Sequence, residues 1–358
     1  MTPRTRVERA LNGGHSDVVP FTFYEAFVQT SQTERELRNR GMCVVNRLPV
    51  VKTHRPNVKV TQQVHWEGER KLTRTRYETP VGELSTLAED GGFTVWWHEL
   101  LLKRPEDYAV IRFFLRDEVY EPAYAEFLRA QEEFGEDAIF RANFGLEPLQ
   151  ELISGGIMKM EQFCEEWMER RDEVLSLYEI LVENRRKIYP LVAQSPAGHA
   201  NYGGNVTPEI IGGKVFEEYF VPHYHEAAEV MHRHGKLIGC HFDANNRIIA
   251  SAIAGLPLDY IEAFTPAPDT DMTLAEARAA WPDKVLWINF PSSVHLKSDA
   301  AVEQTMVDLV NEAGSVDGLL VGITENMPPD HWQNSCRAIM DGLDRHARER
   351  PERYALTP

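Results

Sequence analysis

Residues 236–243 read KLIGCHFD, a short apolar run that ends on polar side chains, and the same pattern returns at residues 260–264, at 285–290 (VLWINF) and at 318–323 (GLLVGI). Helical stretches fall between them, at 248–254, around 274–280 and at 300–313, with a closing one at 331–347. Short strand, then a helix, then another short strand is the signature of βα units around a parallel sheet. Working outward, residues 200–206 read as strand and loop. Thr207-Pro208-Glu209 then opens a helix with a capping residue and a proline in its first turn, and Gly235 closes it. Residues 138–144 (AIFRANF) form a further strand, and residues 18–25 (VVPFTFYE), introduced by Asp17, form the first. Strands beginning near 19, 138, 200, 237, 260, 285 and 318 leave one more before 138 to complete an eight-stranded barrel. The expected fold is α/β, a single (β/α)8 TIM barrel. A doubly wound open sheet is the runner-up, but no Gly-x-Gly-x-x-Gly follows the first strand.

Two stretches depart from simple alternation. Residues 59–97 carry Thr, Val, Tyr and Trp runs broken at Glu67-Gly68, Pro80 and Gly91-Gly92, as antiparallel hairpins do, so the barrel carries an N-terminal β-hairpin excursion over about residues 57–100. Trp66, Trp96 and Trp97 within it are expected to pack or to line the mouth of a pocket. Residues 106–134 read as mostly helical. Residues 160–189 set Phe163, Trp167, Val174, Leu177, Tyr178, Leu181 and Ile188 at helical spacing, one long amphipathic helix or two joined by a break. With no fixed repeat and no Gly/Ser linker, the 358 residues are expected to form one domain.

Composition narrows the function. Lys and Arg number 38 against 55 Asp and Glu, a net charge of −17, which argues against sequence-independent binding to nucleic acid or to an anionic membrane. The four cysteines are scattered with no Cys-x-x-Cys pair, so a disulfide framework is not indicated and a cytoplasmic setting is expected. The first residues, MTPRTRVERALNG, lack the apolar core of a signal peptide.

In such a barrel, chemistry sits at the carboxyl ends of the strands. The residues there are Tyr24 and Glu25; Asn143; Asn201, Tyr202 and Asn205; His241 and Asp243; Glu262; Asn289; and Thr324, Glu325 and Asn326. Strand periodicity turns His241 and Asp243 to one face. With Glu325 they could hold zinc or another divalent metal in an open site. Alternatively His241 is a hydrogen-bonded pocket histidine and Asp243 caps the helix before Ile248. Glu25, in an apolar strand, needs a raised pKa or a cationic or metal partner and suits acid–base work; alternatively it is a strand-end Glu paired with an arginine. Asp243 and Tyr202 complete the candidate catalytic set. Tyr24, Asn143, Asn201, Asn205, Glu262 and Asn289 are candidate substrate-binding groups, the amides orienting substrate oxygens. His223, His225, His232 and His234 do not share one helix face and read as a solvated helix.

The opening RTRVERALNGGHSDVVPFTF, the block NVTPEIIGGKVFEEYFVPHYHEAAEVMHRHGKLIGCHFDANN and the ending GLLVGITENMPPDHWQNSCRAI resemble the uroporphyrinogen decarboxylase superfamily across nearly the whole length. The resemblance implies a (β/α)8 barrel and one of two activities: cofactor-free decarboxylation of uroporphyrinogen, or zinc-dependent methyl transfer between small substrates or thiols and corrinoid proteins. The decarboxylases' arginine-rich motif is missing from TFYEAFVQTSQTERELRNR, and the net charge sits poorly with a tetrapyrrole of eight carboxylates. The methyltransferase branch places His-x-Cys where this chain has His241-Phe242-Asp243 and a further cysteine near Ile323-Thr324-Glu325. The histidine matches and both cysteines do not, which implies a harder, carboxylate-rich site suited to polarising the oxygen of a methoxy substrate. The leading expectation is a metal-dependent methyltransferase-like enzyme, with a corrinoid protein as partner. A decarboxylase of a carboxylated substrate is the alternative, and a barrel that only binds a small ligand is the third reading. Oligomeric state stays open, a homo-oligomer included.

Overall fold

A computed structural model describes residues 1–92 and 94–355. The chain divides into two compact units, one made of residues 1–50, 123–145 and 192 onward, the other of residues 51–122 and 146–191.

The first unit is built on a parallel sheet. Phe21–Tyr24 pairs with Cys43–Asn46 on one side and Leu319–Ile323 on the other. From Leu319–Ile323 the ladder passes through Val285–Asn289, Tyr260–Phe264, Leu237–His241 and His199–Tyr202 to Ala142–Asn143. On the other side Cys43–Asn46 pairs with Ala138–Phe140. These two end segments are consecutive in the chain, separated only by Arg141. The Arg141 N–H reaches Asn46 O at 2.9 Å, and Phe144 N–H reaches Asn201 O at 3.0 Å, so the ladder passes from one neighbour to the other across a single residue. The result is a nearly closed parallel sheet of nine segments with helices between its strands, a TIM-barrel-like α/β fold.

The strand missing from the sequence reading is Cys43–Asn46, a four-residue run. It follows the helix Gln32–Arg40, which Ser31 caps by accepting from Glu34 N and which Gly41 ends at φ 111°. Val285–Asn289 and Leu319–Ile323 are buried along their whole length, which explains their unbroken apolar character. Alternate residues serve two layers. Tyr24, Tyr260 and Trp287 join Val7, Ala10 and Leu11 of the opening helix Pro3–Leu11 in one buried cluster. Tyr202 and Cys240 instead meet Tyr224 of the helix Val221–Arg233.

The second unit carries a four-stranded antiparallel sheet, Lys59–Glu67, Arg70–Thr79, Gly82–Asp90 and Val95–Glu99, in that order. Leu72, Thr75, Leu84 and Thr86 are buried in it, and Tyr77 packs edge-on against Phe114 at 5.2 Å. Of its tryptophans, Trp66 and Trp96 are 65% and 64% exposed, whereas Trp97, 49% exposed, lines a cavity with Tyr77, Leu101 and Phe114. The stretch 106–134 is not one helix either. The strand Val119–Pro122, paired antiparallel with Val51–His54, separates Asp107–Arg116 from Tyr124–Phe134, and that partner is remote from any local window. The amphipathic run at 160–189 breaks at Arg170 into Met160–Glu169 and Arg171–Gln194. Among the described residues no helix is long and apolar enough to cross a membrane. No cysteine is bridged: Cys43, Cys240 and Cys336 are buried and Cys164 is exposed.

Candidate active site

Side chains from four strands, joined by Arg141 from between the two end segments, meet inside the sheet of the first unit. Their centre is Glu262, wholly buried on the strand Tyr260–Phe264. Its Oε1 forms an ion pair with Arg141 Nη1 at 2.9 Å and accepts from the Tyr24 hydroxyl. Its Oε2 accepts from Asn201 Nδ2 at 2.9 Å and from His241 Nδ1 at 2.7 Å. Tyr260 holds Asn201 in turn, its hydroxyl 2.6 Å from Asn201 Oδ1. The backbone aims Glu262 through a bulge: the register with the next strand shifts between Glu262 and Phe264, and Ala263 sits at φ 58°, a left-handed conformation costly for a residue with a Cβ.

The electrostatics follow from this packing. Burial opposes the charge on Glu262, but Arg141, His241 and Tyr24 outweigh it and hold the carboxyl well below its usual range. Burial also opposes charge on His241, yet Glu262 and Asp243 overcome it and raise the imidazolium pKa to about 9. His241 is therefore charged at neutral pH. Its other nitrogen, Nε2, stands 3.3 Å from Asp243 Oδ2.

That nitrogen faces a cavity of about 380 Å3 at the carboxyl ends of the strands, lined by Phe27, Asn205, His241, Asp243, Thr265, Asp269, Thr270, Asn289, Ser292, Thr324, Glu325 and Asn326. Three carboxylates line it and, among the described residues, no Lys or Arg does. Asn289 Nδ2 donates to Glu325 Oε1 at 2.6 Å, and Asn289 Oδ1 accepts from Thr324 N and Oγ1 at 3.1 and 3.0 Å. Ser292 Oγ also donates to Glu325 Oε1, at 2.5 Å.

The residues singled out in the sequence thus separate into three groups. His241, Asp243, Asn205, Asn289, Thr324, Glu325 and Asn326 line the cavity. Tyr24, Asn201 and Glu262 lie beneath it in the buried network. Tyr202, Glu25 and Asn143 stand apart. Tyr202 is one residue out of phase with Asn201 and so packs, fully buried, against Phe144 and Tyr224. Glu25 finds the cationic partner that an apolar setting demands in Arg47, whose Nε lies 3.0 Å away and whose guanidinium covers the Tyr24 ring at 3.8 Å. Asn143 is exposed and its Oδ1 accepts from Gly145 N, the hydrogen bond of a turn. Asp243 does not cap the following helical turn, which Asn246 precedes. Of the four histidines on residues 223–234, His232 pairs with Asp259 at 2.9 Å and His223 is buried.

The metal expectation meets the donor geometry. His241 and Asp243 come together, and a carboxylate behind Nδ1 is the arrangement that orients metal-bound histidines. Glu325, however, is engaged by Asn289 and Ser292. Among the described residues no three His, Cys, Asp or Glu side chains are grouped as they would be around one ion. The residues present do not fit a three-ligand metal centre, so the chemistry of the pocket is derived from its own acid–base groups. Arg141 was missed because it stands inside AIFRANF and not at its carboxyl end, Asp269 because it stands on a loop beyond the strand ends, and Ser292 because it opens the short helical turn Ser292–Leu296. One signal existed: a glutamate at position 262 in an apolar strand requires a buried cation.

No family model matches the sequence, and no curated protein matches it. Solved structures do. A methyltransferase from Methanosarcina mazei superposes with a TM-score of 0.58 at 11% identity, over 96% of this chain and 99% of that one. An octameric ribulose-1,5-bisphosphate carboxylase/oxygenase from Pyrococcus horikoshii OT3 matches with a TM-score of 0.36 at 13% identity, over 94% of this chain and 63% of that one. The first likeness is one of fold over the full length of both chains.

Proposed function

We propose that this chain is a methyltransferase-like enzyme on a (β/α)8 barrel, in which the segments on either side of Arg141 count as one interrupted strand, and that it takes a methyl group from a small methyl ether or methylated amine. The observation that carries the reading is the His241 imidazolium, held from behind by buried Glu262 and presenting Nε2 to a polar cavity beside Asp243. Removing a methyl group from an ether leaves the bonding pair on oxygen, and that oxygen needs a proton. His241 Nε2 is placed to give it, and Glu262 stabilises the charge His241 carries beforehand. The methyl carbon goes to a nucleophile, in this reading a reduced corrinoid carried by a partner protein. Asn289, Thr324 and Asn205 orient the donor's polar groups, and Phe27 offers an apolar wall for the methyl.

The lining supports this substrate class over a polycarboxylate. His241 is the one cation facing Asp243, Asp269 and Glu325 among the described residues, a surplus of negative charge that repels an anion and favours a neutral or cationic donor. The decarboxylase reading lacks the cationic grip its substrates require. The test is methyl transfer from a panel of methyl ethers and methylated amines to a reduced corrinoid protein. His241→Gln should lower kcat by about 100-fold or more while the far-UV circular dichroism is unchanged. Carbon dioxide release from a carboxylated substrate with no methyl transfer would replace this reading by the decarboxylase one.

A further inference from the structure

The strand Lys59–Glu67 is a nine-residue outer edge of the antiparallel sheet in the second unit, and Val60, Val64 and Trp66 on it are 53%, 55% and 65% exposed. A long edge that is both open and apolar is a template for another strand. Its hydrogen bonding is half used. The two-residue turn Gly68-Glu69, with Gly68 at φ 64°, closes on the pair Glu67 and Arg70, so alternate residues 59, 61, 63, 65 and 67 bond Arg70–Thr79. Residues 60, 62, 64 and 66 turn their N–H and C=O groups outward.

We propose that this edge pairs with the same edge of a second copy, antiparallel and centred on Gln63. The sequence KVTQQVHWE complements itself in that register. Lys59 falls opposite Glu67 of the other copy, Val60 opposite Trp66, Thr61 opposite His65 and Gln62 opposite Val64. The outward-turned residues meet one another as hydrogen-bonded pairs, 60 with 66 and 62 with 64, while 63 meets 63 as a non-hydrogen-bonded pair whose side chains lie closest. Placing the centre half a residue away sets outward-turned groups against inward-bonded ones, and moving it by a whole residue keeps the outward groups paired but loses the Lys59–Glu67 pairing. A two-fold axis through Gln63 makes the contact isologous and closed, which a single edge can satisfy without growing a fibre. Two sheets become one, and each exposed Trp66 gains a valine neighbour.

The test is sedimentation of the full chain with charge swaps. The parent should dimerise. Lys59→Glu and Glu67→Lys singly set like charges opposite each other twice per dimer and should weaken dimerisation about tenfold each. The double swap should restore it to within about threefold. Lys59 also pairs with Glu78 of its own hairpin at 3.1 Å, a contact the double swap does not repair, so recovery reads the contact between copies alone. Independently of any folding loss in those variants, Gln63→Cys in a Cys164→Ser background should form a disulfide-linked dimer on oxidation, and Glu67→Cys should not. A chain that stays monomeric, leaving the edge to a strand of some other protein, overturns the proposal. A dimer that ignores the swaps and fails to cross-link through position 63 also overturns it.

Discussion

His241 Nδ1 and Glu262 Oε2 stand 2.7 Å apart, the histidine at the floor of the cavity and the glutamate fully buried behind it. The pair converts a group that is ordinarily half-titrated near neutral pH into a fixed cation. The same contact links the chemistry of the pocket to the stability of the fold.

Stability should therefore fall on the alkaline side. The folded pKa of His241 is about 9, against roughly 6.5 for a free histidine. A raised folded pKa gives a contribution that is complete below the unfolded value and is lost as pH rises through the folded one. Denaturant unfolding at several pH values should show a decline on the order of a few kcal/mol between about pH 6.5 and 9. In His241→Gln that decline should be absent; an unchanged slope would mean that another group titrates there.

Glu262→Gln removes the one anion that faces Arg141 in the buried network. Leaving a guanidinium unpaired in the interior costs about 3 to 5 kcal/mol, and the loss should appear as a lower midpoint of unfolding. The His241 pKa, followed by its ring proton resonances, should move down in the same variant. A midpoint within experimental error of the parent would show that Arg141 finds another partner.

Ala263 predicts the opposite sign. A residue with a Cβ at φ 58° carries strain of about 1 kcal/mol, which glycine does not. Ala263→Gly should leave stability unchanged or raise it by up to about 1 kcal/mol, although the same substitution in an ordinary strand destabilises. Activity is the second readout, because the bulge aims Glu262.

Gly239 marks a close approach inside the sheet. A Cβ there would stand 2.2 Å from Cε2 of the Tyr260 ring, and that ring's hydroxyl holds Asn201. Gly239→Ala should cost about 1 to 3 kcal/mol by overpacking. It should also disturb the His241 titration through Asn201 and Glu262, whereas an overpacked site remote from the network would leave that titration alone.

The positions most legible in the sequence were those where strand, parity and chemistry agreed. His241, Asp243, Asn289 and Glu325 end apolar runs with clear periodicity, and all four line one cavity. Parity decided the rest. Asn201 and Tyr202 both end the same strand, but successive side chains oppose, so only one could join the network. Cys43–Asn46 escaped notice because four residues give too little pattern, and Val119–Pro122 because its partner is some 70 residues away in sequence. The arrangement around Glu325 was illegible for another reason: Ser292 opens a five-residue helical turn, Ser292–Leu296, too short to show a period.

Arg141 occupies the only residue between the two end segments of the parallel sheet, and its side chain runs inward to Glu262. Closure of the sheet and charge balance of the site are thus inherited through one codon. A replacement that keeps the strand but loses the charge orphans Glu262, and one that keeps the charge but displaces the backbone opens the seam. Among descendants of such a chain, change at 141 is viable only together with change at 262, so the two positions should vary jointly and the intermediates should be poorly folded.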